Sequence, residues 1–369
     1  MVNNSLKTEK HDITLTILVD TLRVICLPIE QYAQCNVIYM IWSNGGSVMF
    51  RGGNYLRDCG ADCAKFQKTA LKEKFNRGAL RRPYSSPHSF GTTYGEHKEF
   101  LEFSEEQFKE LQAFAKSIDI LLSASAMDMK SLEFLISSEV PFIKIGSGDA
   151  NNFILIERAA QSGLFLIIST GMQSFETVKT IYNIVSKYHK NFALLHCVSS
   201  YPTPVAEINL SVIDLYKEHF PDVFIGYSGH ELGTHITAAA VALGAKIIER
   251  HITLDKTQKG SDHSCSLNPT ELQTIIHNIR AIELAMGVPI KRLQESEKSC
   301  YEKLGKSLVF TKNLQKGHKL TLEDLNVKVA EPKGLDGCLL HDVVGKILVV
   351  DGHEDEPVLL NDFEKMPIK

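Results

Sequence analysis

The sequence predicts an α/β fold, an eightfold parallel (β/α)8 barrel followed by a small β-rich domain. Short apolar runs that end in small or polar residues recur from Cys59 onward, and amphipathic helical stretches separate most of them. Near Lys291 the pattern changes to short β runs and turns. No GxGxxG fingerprint follows any run, which disfavours the alternative of a doubly wound open sheet.

Seven of the apolar runs are predicted to be barrel strands. They are CAKFQ from Cys63, ILLSASAM from Ile120, FIKIGSG from Phe142, FLIISTGM from Phe165, FALLHCVSSYP from Phe192, and the runs 223–225 and 246–248. Helices are predicted between them, for example at 131–138, 153–162 and 175–188. An eighth strand is expected from the N-terminal segment, where the run VIYMIW leads into SNGG.

These patterns divide the chain into four parts. Residues 1–55 form an atypical segment, either poorly ordered or an irregular first strand, and residues 56–290 form the barrel. A linker helix is predicted over 291–302 and the second domain over 303–369. A domain of this size is small enough to lean on its partner for stability.

Composition excludes several classes of protein. The 369 residues are 44% hydrophobic, enough for a large core, and a net charge of -4 without a sustained basic stripe argues against a nucleic-acid partner. Charges at Asp20, Arg23 and Glu30 interrupt the first apolar stretch, so neither a membrane span nor a signal peptide is expected. The eight cysteines form no CxxC pairs, which favours a reducing, cytoplasmic setting.

Two histidines follow the last two predicted strands, His230 in SGH and His251 in ERH. The carboxyl ends of parallel strands meet at one edge, so the two imidazoles are expected side by side and able to share a divalent cation. Hydrogen-bonded structural histidines are the alternative. The neighbouring Glu249 and Arg250 belong to the same site or form a simple ion pair.

The other predicted strands end in lysines and hydroxyl groups. Lys65 and Gln67 follow the first strand, and Ser125, Lys144, Ser147, Ser169, Thr170, Ser199, Ser200 and Ser228 follow the others. A site for a phosphate or carboxylate needs positive charge, hydrogen-bond donors on short side chains, and backbone N–H groups that can approach the anion closely. Each serine taken alone is more typical of a turn or cap, but their repetition predicts an anion site.

A basic and polar stretch from Lys72 to Lys98 is too long for an ordinary βα loop. Its cations Lys74, Arg77 and Arg81, with the neighbouring Arg82, could receive a second phosphate. The alternative is a solvated loop with scattered charges.

From Cys59 to its C-terminus the chain resembles the animal sialic acid synthases. The motifs that carry the resemblance are GADCAKFQ, KFNRxALxRPY, TYGEHK, KIGSGDxNNF, STGMQS, SxYP, GYSGHE, VALGAK, ERHITLDKTxKGSDHS and EKLGKS. The resemblance implies a TIM barrel followed by an antifreeze-like (SAF) domain. It also implies condensation of phosphoenolpyruvate with N-acetylmannosamine 6-phosphate or N-acetylmannosamine, a divalent metal (Mg²⁺ or Mn²⁺), and a homodimer with its SAF domains swapped over the partner barrels.

The resemblance also implies roles for individual residues. Phosphoenolpyruvate would be held by Lys65, Ser125, Lys144, Ser147, Ser169, Ser199 and Ser228. The sugar would be bound by Gln67, Tyr201 and Asp262, its phosphate by Lys74, Arg77 and Arg81, and the metal by His230 and His251. Catalytic roles would fall to Lys65, Lys144, Tyr201 and Asp262.

The first barrel strand departs from the family's EIGxNH motif. Met40 stands where the family has the glutamate, and Gly45 stands where it has the histidine. Methionine cannot transfer a proton, and loss of a general base lowers a rate about 10² to 10⁴-fold. A weakened synthase and a catalytically silent barrel that binds phosphoenolpyruvate or sugar phosphate and dimerises are therefore both hypotheses. A third is an aldolase that forms a Schiff base on Lys144.

Overall fold

The computed structural model describes residues 57–364 in full and the backbone of residues 13–18 and 38–44. The predictions for the rest of residues 1–55, including Gly45, lie outside this range. The chain divides into two compact units, Met1–Gly287 and Val288–Lys369. Across the described residues, no helix combines the length and apolar character that crossing a membrane requires.

In the described part of the first unit, nine strands form a closed barrel. They are β1 (Ile13–Leu18), β2 (Ile38–Asn44), β3 (Cys63–Lys68), β4 (Leu121–Ala126), β5 (Phe142–Ile145), β6 (Phe165–Ser169), β7 (Phe192–Cys197), β8 (Phe224–Gly229) and β9 (Ile247–His251). From β2 to β9 successive strands are parallel, and β2 also pairs in parallel with β9. The predicted eightfold parallel barrel is thus confirmed, with its eighth strand from the N-terminal segment. Strand β1, which was not predicted, is antiparallel to β2.

Strand side chains alternate between the barrel interior and the layer beneath the helices. On β3, Ala64 and Phe66 pack in the large core between strands and helices, whereas Cys63 belongs to the smaller apolar cluster of the interior. Lys65 and Gln67 share the parity of Cys63 and line a cavity at the barrel mouth. The apolar interior therefore gives way to polar groups at the carboxyl ends of the strands.

Helices follow most of the strands. They are α1 (Leu71–Lys74), α2 (Arg77–Arg81), α3 (Tyr94–Leu101), α4 (Glu105–Ser117), α5 (Met129–Ser137), α6 (Phe153–Gln161), α7 (Phe175–Ser186), α8 (Val212–His219), α9 (His235–Ala242) and α10 (Pro269–Met286). The helices predicted at 131–138, 153–162 and 175–188 are confirmed as α5, α6 and α7, with ends that agree within 2 residues.

The stretch 72–98 is not the continuous loop that was predicted, because parts of α1, α2 and α3 lie within it. Asn76 caps α2 by accepting a hydrogen bond from the Ala79 N–H. Thr93 and Glu96 form a reciprocal capping box at the start of α3. These local hydrogen bonds turn parts of a polar stretch into helix.

The second unit contains α11 (Lys298–Leu304), an antiparallel pair of strands, β10 (Ser307–Phe310) and β11 (Leu325–Lys328), and α12 (Leu340–Val343). Its core is formed by Leu308, Phe310, Leu314, Leu320, Leu325, Val343, Leu348, Val358 and Phe363. The linker helix predicted over 291–302 begins later, with a 3-10 turn at 295–297, and ends at 304. Several of the predicted β runs make isolated bridges instead of strands.

Candidate active site

A cavity of about 290 Å³ opens at the carboxyl ends of the barrel strands. Twelve of the predicted site residues line it: Lys65, Gln67, Ser125, Lys144, Ser147, Ser169, Ser199, Tyr201, Ser228, His230, His251 and Asp262. They come from separate parallel strands and the loops that follow them. Their meeting around one cavity is thus observed.

Two buried lysines share one buried carboxylate in this cavity. Lys65 Nζ lies 2.9 Å from Glu249 Oε1, and Lys144 Nζ lies 3.2 Å from Glu249 Oε2. The three side chains are 1–6% exposed. With both lysines protonated the cluster has a surplus positive charge, which favours an anion as ligand.

Burial and the charges of the three groups together set the protonation of this cluster. Burial is the largest influence on the pKa of Lys65 and lowers it, Glu249 raises it and Lys144 lowers it again, so that it lies at about 7. Burial by itself would raise the pKa of Glu249, but the ammonium groups of Lys144 and Lys65 outweigh it and hold that pKa well below its ordinary value. At neutral pH Glu249 is ionised, and Lys65 is near the midpoint of its titration.

The interpretation of Glu249 and Arg250 as a simple ion pair is wrong. Consecutive strand residues face opposite sides, so Glu249 points into the cavity while Arg250 is directed away from it. Arg250 Nη1 lies 2.8 Å from Glu231 Oε1, and Arg250 Nη2 donates to the Glu231 carbonyl at 2.6 Å. Glu249 shares parity with His251, two positions along β9, and this is the sequence signal that could have identified it as a cavity residue.

Lys144 is held by three acceptors. Its Nζ donates to Ile145 O at 3.0 Å and to Ser169 Oγ at 2.6 Å, besides its contact with Glu249. An ammonium group has three N–H donors, and each of these has an acceptor here. A Schiff base requires an unprotonated amine, so this arrangement disfavours the aldolase hypothesis.

Hydroxyl groups surround the lysine cluster. Ser125 Oγ accepts from Lys65 at 3.1 Å, and Ser169 Oγ donates to Glu249 Oε2 at 3.0 Å. Ser199 Oγ is buried and has no hydrogen-bond partner within the described part of the chain. A buried polar atom of this kind is expected to meet a ligand or water.

His230 and His251 lie side by side, with ring centres 5.0 Å apart. The Val198 carbonyl lies 2.9 Å from His230 Nδ1, and Asp262 Oδ2 lies 3.7 Å from His251 Nδ1. The ring of Tyr201 lies 4.2 Å from that of His230. One small volume therefore holds two imidazoles, a carboxylate and a phenol.

The histidine pair fits a divalent cation. Val198 engages Nδ1 of His230, which directs Nε2 as the ligand atom. With metal–nitrogen bonds of about 2.0–2.1 Å, two imidazoles on one ion have ring centres about 4–6 Å apart. Nowhere in residues 57–364 are three or more His, Cys, Asp or Glu side chains arranged to hold an ion, so substrate or water oxygens would have to complete the shell.

Burial, with the neighbouring His230 and Lys65, lowers the pKa of His251 well below its ordinary value, so its imidazole is neutral as a metal ligand must be. Burial is also the largest influence on the pKa of His230 and lowers it. Cys197, whose Sγ lies 3.9 Å from Nδ1, and the Val198 carbonyl together raise that pKa above its ordinary value. A cation at this site would therefore have to displace a proton from His230.

Three predicted phosphate ligands lie outside this cavity. Lys74 lines a second cavity beside it, and its Nζ lies 2.9 Å from Asp149 Oδ2. Arg77 and Arg81 are exposed on α2 and line neither of these two cavities. The main cavity is also lined by Met127, Met172 and Cys197, which were not predicted because apolar and thiol side chains carry no charge pattern.

Comparison with protein families gives two matches. The NeuB family model covers residues 55–291, and the SAF domain model covers residues 305–364. The first includes every strand from β3 to β9, and the second includes β10 and β11.

Individual relatives cover most of the chain. It is 52% identical to the N-acetylneuraminate-9-phosphate synthase of Mus musculus, over 84% of this chain and 86% of that protein. The synthase of the same name from Homo sapiens is also 52% identical, over 82% of this chain and 84% of that protein. A crystal structure of the N-acetylneuraminic acid synthetase of Leptospira borgpetersenii, in complex with citrate, is 33% identical with a TM-score of 0.59, over 69% of this chain and 85% of that one.

Proposed function

The chain belongs to the NeuB family, and from this premise we propose that it is a sialic acid synthase. It condenses phosphoenolpyruvate with N-acetylmannosamine 6-phosphate, or with the free sugar, to give N-acetylneuraminate 9-phosphate or N-acetylneuraminate. The observation that carries the proposal is the pair Lys65 and Lys144, buried around a single carboxylate in a cavity lined with hydroxyl groups. Phosphoenolpyruvate carries both a carboxylate and a phosphate, and this cluster offers charge and short donors to both.

The condensation needs two carbon atoms held in contact. C3 of phosphoenolpyruvate attacks the aldehyde carbon of the open-chain sugar, whose oxygen takes a proton and becomes a hydroxyl. Water then adds to the cationic C2, and phosphate leaves as the C–O bond breaks, so the oxygen of water becomes the new ketone. Lys65 and Lys144 hold the anion, while Gln67, Tyr201 and Asp262 orient the sugar beside it.

Glu249 supplies the negative charge that the cationic C2 requires. It is ionised at neutral pH and lies between the two lysines that hold the substrate. In the parallel ladder Met40 of β2 is the partner of Glu249, at the slot where the family has its glutamate. Glu249 can therefore stabilise the cation, but Met40 cannot take the proton of the attacking water.

We further propose a divalent cation held by His230 and His251, with Mn²⁺ preferred over Mg²⁺ because both protein ligands are imidazole nitrogens. When bound, such an ion supplies a Lewis acid that polarises a carbonyl oxygen. The side chains of Tyr201 and Asp262 adjoin the same histidines and are placed to orient that carbonyl.

A cytoplasmic homodimer is also part of the proposal. Large apolar side chains at the end of α10 are exposed, Leu284 at 86% and Met286 at 56%. A contiguous exposed apolar stretch favours a protein partner. A second copy of the chain, with its SAF domain reaching over this barrel as the family resemblance implies, is the proposed occupant.

Product formation tests the proposed reaction directly. The protein is incubated with phosphoenolpyruvate, MnCl₂ and N-acetylmannosamine 6-phosphate, and we expect mass spectrometry to detect the nine-carbon sugar acid together with released phosphate. Lys144→Met, which removes one of the two anion-holding charges, should lower the rate about 10² to 10³-fold. Heat of phosphoenolpyruvate binding without any product would overturn the proposal and favour the silent-barrel hypothesis.

A further inference from the structure

The segment between β9 and α10 carries Asp262, one of the side chains assigned to the sugar. The structure describes all of residues 252–268, and no helix or strand lies among them. Asp262 Oδ2 nevertheless lies 3.7 Å from His251 Nδ1, and Ser261 Oγ donates to Asp262 Oδ1 at 2.6 Å. A loop without regular structure keeps such a side chain in place only if other contacts hold its backbone.

Contacts within the loop hold the backbone that follows Asp262. Its carbonyl accepts hydrogen bonds from the N–H and Oγ of Ser266, at 3.1 and 2.8 Å. Thr253 Oγ1 lies 2.8 Å from Nδ1 of the buried His263. These bonds order the loop from Asp262 to its C-terminal end.

The residues before Asp262 contact a segment that is distant in the chain. The Gly260 N–H donates to Nδ1 of His88, 172 residues away, at 3.3 Å. The ammonium group of Lys259 lies 4.8 Å from the centre of the Phe90 ring, which is a cation–π contact. Two neighbouring residues of the loop thus contact two side chains of the stretch between α2 and α3.

The stretch between α2 and α3 is held in turn by aromatic packing. The Phe90 N–H donates to His97 Nδ1 at 3.2 Å, and the Phe90 ring stacks on that of Phe100 with ring centres 4.4 Å apart. Burial is the main cause that lowers the pKa of His97 to about 4, so near neutral pH its imidazole is neutral and its Nδ1 can accept this bond. The stretch is therefore a firm support for the loop.

From these contacts we infer that His88 and Phe90 are positioning residues, which hold the loop after β9 so that Asp262 faces the sugar substrate. Neither side chain lines the main cavity or the one beside it, so both act through Asp262 and not by touching the substrate. The inference rests on the proposed synthase function and deepens it. It gives part of the stretch from Lys72 to Lys98 a role that does not depend on its positive charges.

His88→Ala removes the acceptor of the Gly260 N–H, and because His88 is exposed the fold should tolerate the change. We expect the KM for the sugar to rise about 3 to 10-fold, as loss of one hydrogen bond allows, and the KM for phosphoenolpyruvate to change less than about twofold. His88→Asn should restore most of the sugar affinity, because the asparagine Oδ1 can accept the same hydrogen bond. Phe90→Leu, which removes the ring that contacts Lys259, should also raise the KM for the sugar selectively.

A double-mutant cycle separates positioning from a general loss of structure. Asp262→Asn removes the carboxylate through which the two residues are inferred to act. In the Asp262→Asn background, His88→Ala should therefore change the KM for the sugar less than about twofold. The same cycle can be measured as binding of the sugar by calorimetry with MnCl₂ present, which does not depend on turnover. A wild-type protein that forms no product would thus be a failure of the synthase function alone.

His277→Ala is the matched control, because His277 is an exposed histidine on α10 that lines neither cavity. This variant should retain the wild-type KM values. Additive effects in the cycle, equal increases of the two KM values in His88→Ala, or wild-type KM values in both His88→Ala and Phe90→Leu would each overturn the inference.

Discussion

Lys65 is a buried cavity residue whose charge changes near neutral pH. Its pKa of about 7 results from burial, opposed by Glu249 and reinforced by Lys144. Below pH 7 the residue is an ammonium group suited to hold phosphoenolpyruvate, and above pH 7 it becomes neutral. The affinity of the cavity for an anion should therefore depend on pH.

We expect the dissociation constant for phosphoenolpyruvate to rise as the pH increases above about 7, approaching tenfold per pH unit. Glu249→Gln removes the carboxylate that raises the pKa of Lys65, so in this variant the rise should begin at a lower pH. Calorimetric titrations between about pH 6 and pH 9 measure both curves, and the ligand's own titration cancels in the comparison. Glu133→Gln, at a half-exposed ion pair on the barrel surface, is the control and should follow the wild type. The same onset of the rise in Glu249→Gln and wild type would contradict this account of Lys65.

At the scale of single residues, the sequence predicted which side chains meet in the cavity but not which of them form ion pairs with each other. Lys65 and Lys144 follow separate strands, and strand ends converge in any parallel barrel, so their meeting could be predicted. Their shared partner Glu249 lies far away in the chain, and no local pattern indicates that one carboxylate serves two lysines. Parity along β9, which places Glu249 on the side of His251, could have separated it from Arg250.

The two strands that carry the histidines are joined by a buried ion pair on the side away from the cavity. Glu231 directly follows His230, and Arg250 directly precedes His251. Arg250 Nη1 also donates to Thr237 Oγ1 at 2.8 Å, and Tyr227 donates to Glu231 Oε2 at 2.8 Å. Since both charged groups are 0–1% exposed, the pair fixes the ends of β8 and β9 relative to each other.

Glu231→Gln should therefore affect both stability and the histidine pair. It leaves a buried guanidinium without its charged partner, which costs about 3–5 kcal/mol of unfolding free energy. Because His230 and His251 are then held less firmly, Mn²⁺ binding followed by electron paramagnetic resonance should also weaken. Glu133→Gln is the matched control, because it breaks an Arg–Glu contact of 2.7 Å that is 35–47% exposed and should cost at most about 1 kcal/mol. A cost in Glu231→Gln as small as in the control would show that the buried pair does not join the strands.

Elements were predictable where one physical pattern dominated. The strands from β3 to β9 are short buried runs, and α5 to α7 have clear apolar faces, so their positions followed from the sequence. Helices α1 to α3 were missed because α1 and α2 bury no residue and α3 buries only His97, so no apolar period marks them. Strand β1 was missed because its place in the barrel also depends on its pairing with β9, which lies far away in the chain.

At the scale of the whole molecule, the second unit has a hydrophobic core of its own. It also has a buried carboxylate, that of Asp324, which contacts several of its segments. Asp324 is 1% exposed and accepts hydrogen bonds from the N–H and Oγ1 of Thr321, both at 2.8 Å. His318 Nε2 lies 2.8 Å and Lys312 Nζ lies 2.9 Å from the same carboxylate. Burial alone would raise the pKa of Asp324, but these partners outweigh it and hold that pKa below its ordinary value. The carboxylate therefore stabilises the fold in its ionised form.

A fragment of residues 288–369 should fold without the barrel, with an unfolding free energy of about 3–5 kcal/mol, since small single cores rarely supply more. The pKa of Asp324 is lower in the folded than in the unfolded state, so its contribution is complete above about pH 4 and is lost as the pH falls below that value. Thermal unfolding followed by circular dichroism should thus show stability that decreases in acid, and Asp324→Asn should reduce both the stability at pH 7 and its dependence on acid. Asp355→Asn, at a carboxylate that is 69% exposed and pairs with Lys328, is the control and should retain the wild-type acid dependence. A fragment without a cooperative transition would show that this unit depends on the barrel, whereas an Asp324→Asn curve parallel to wild type would assign the acid sensitivity to other carboxylates.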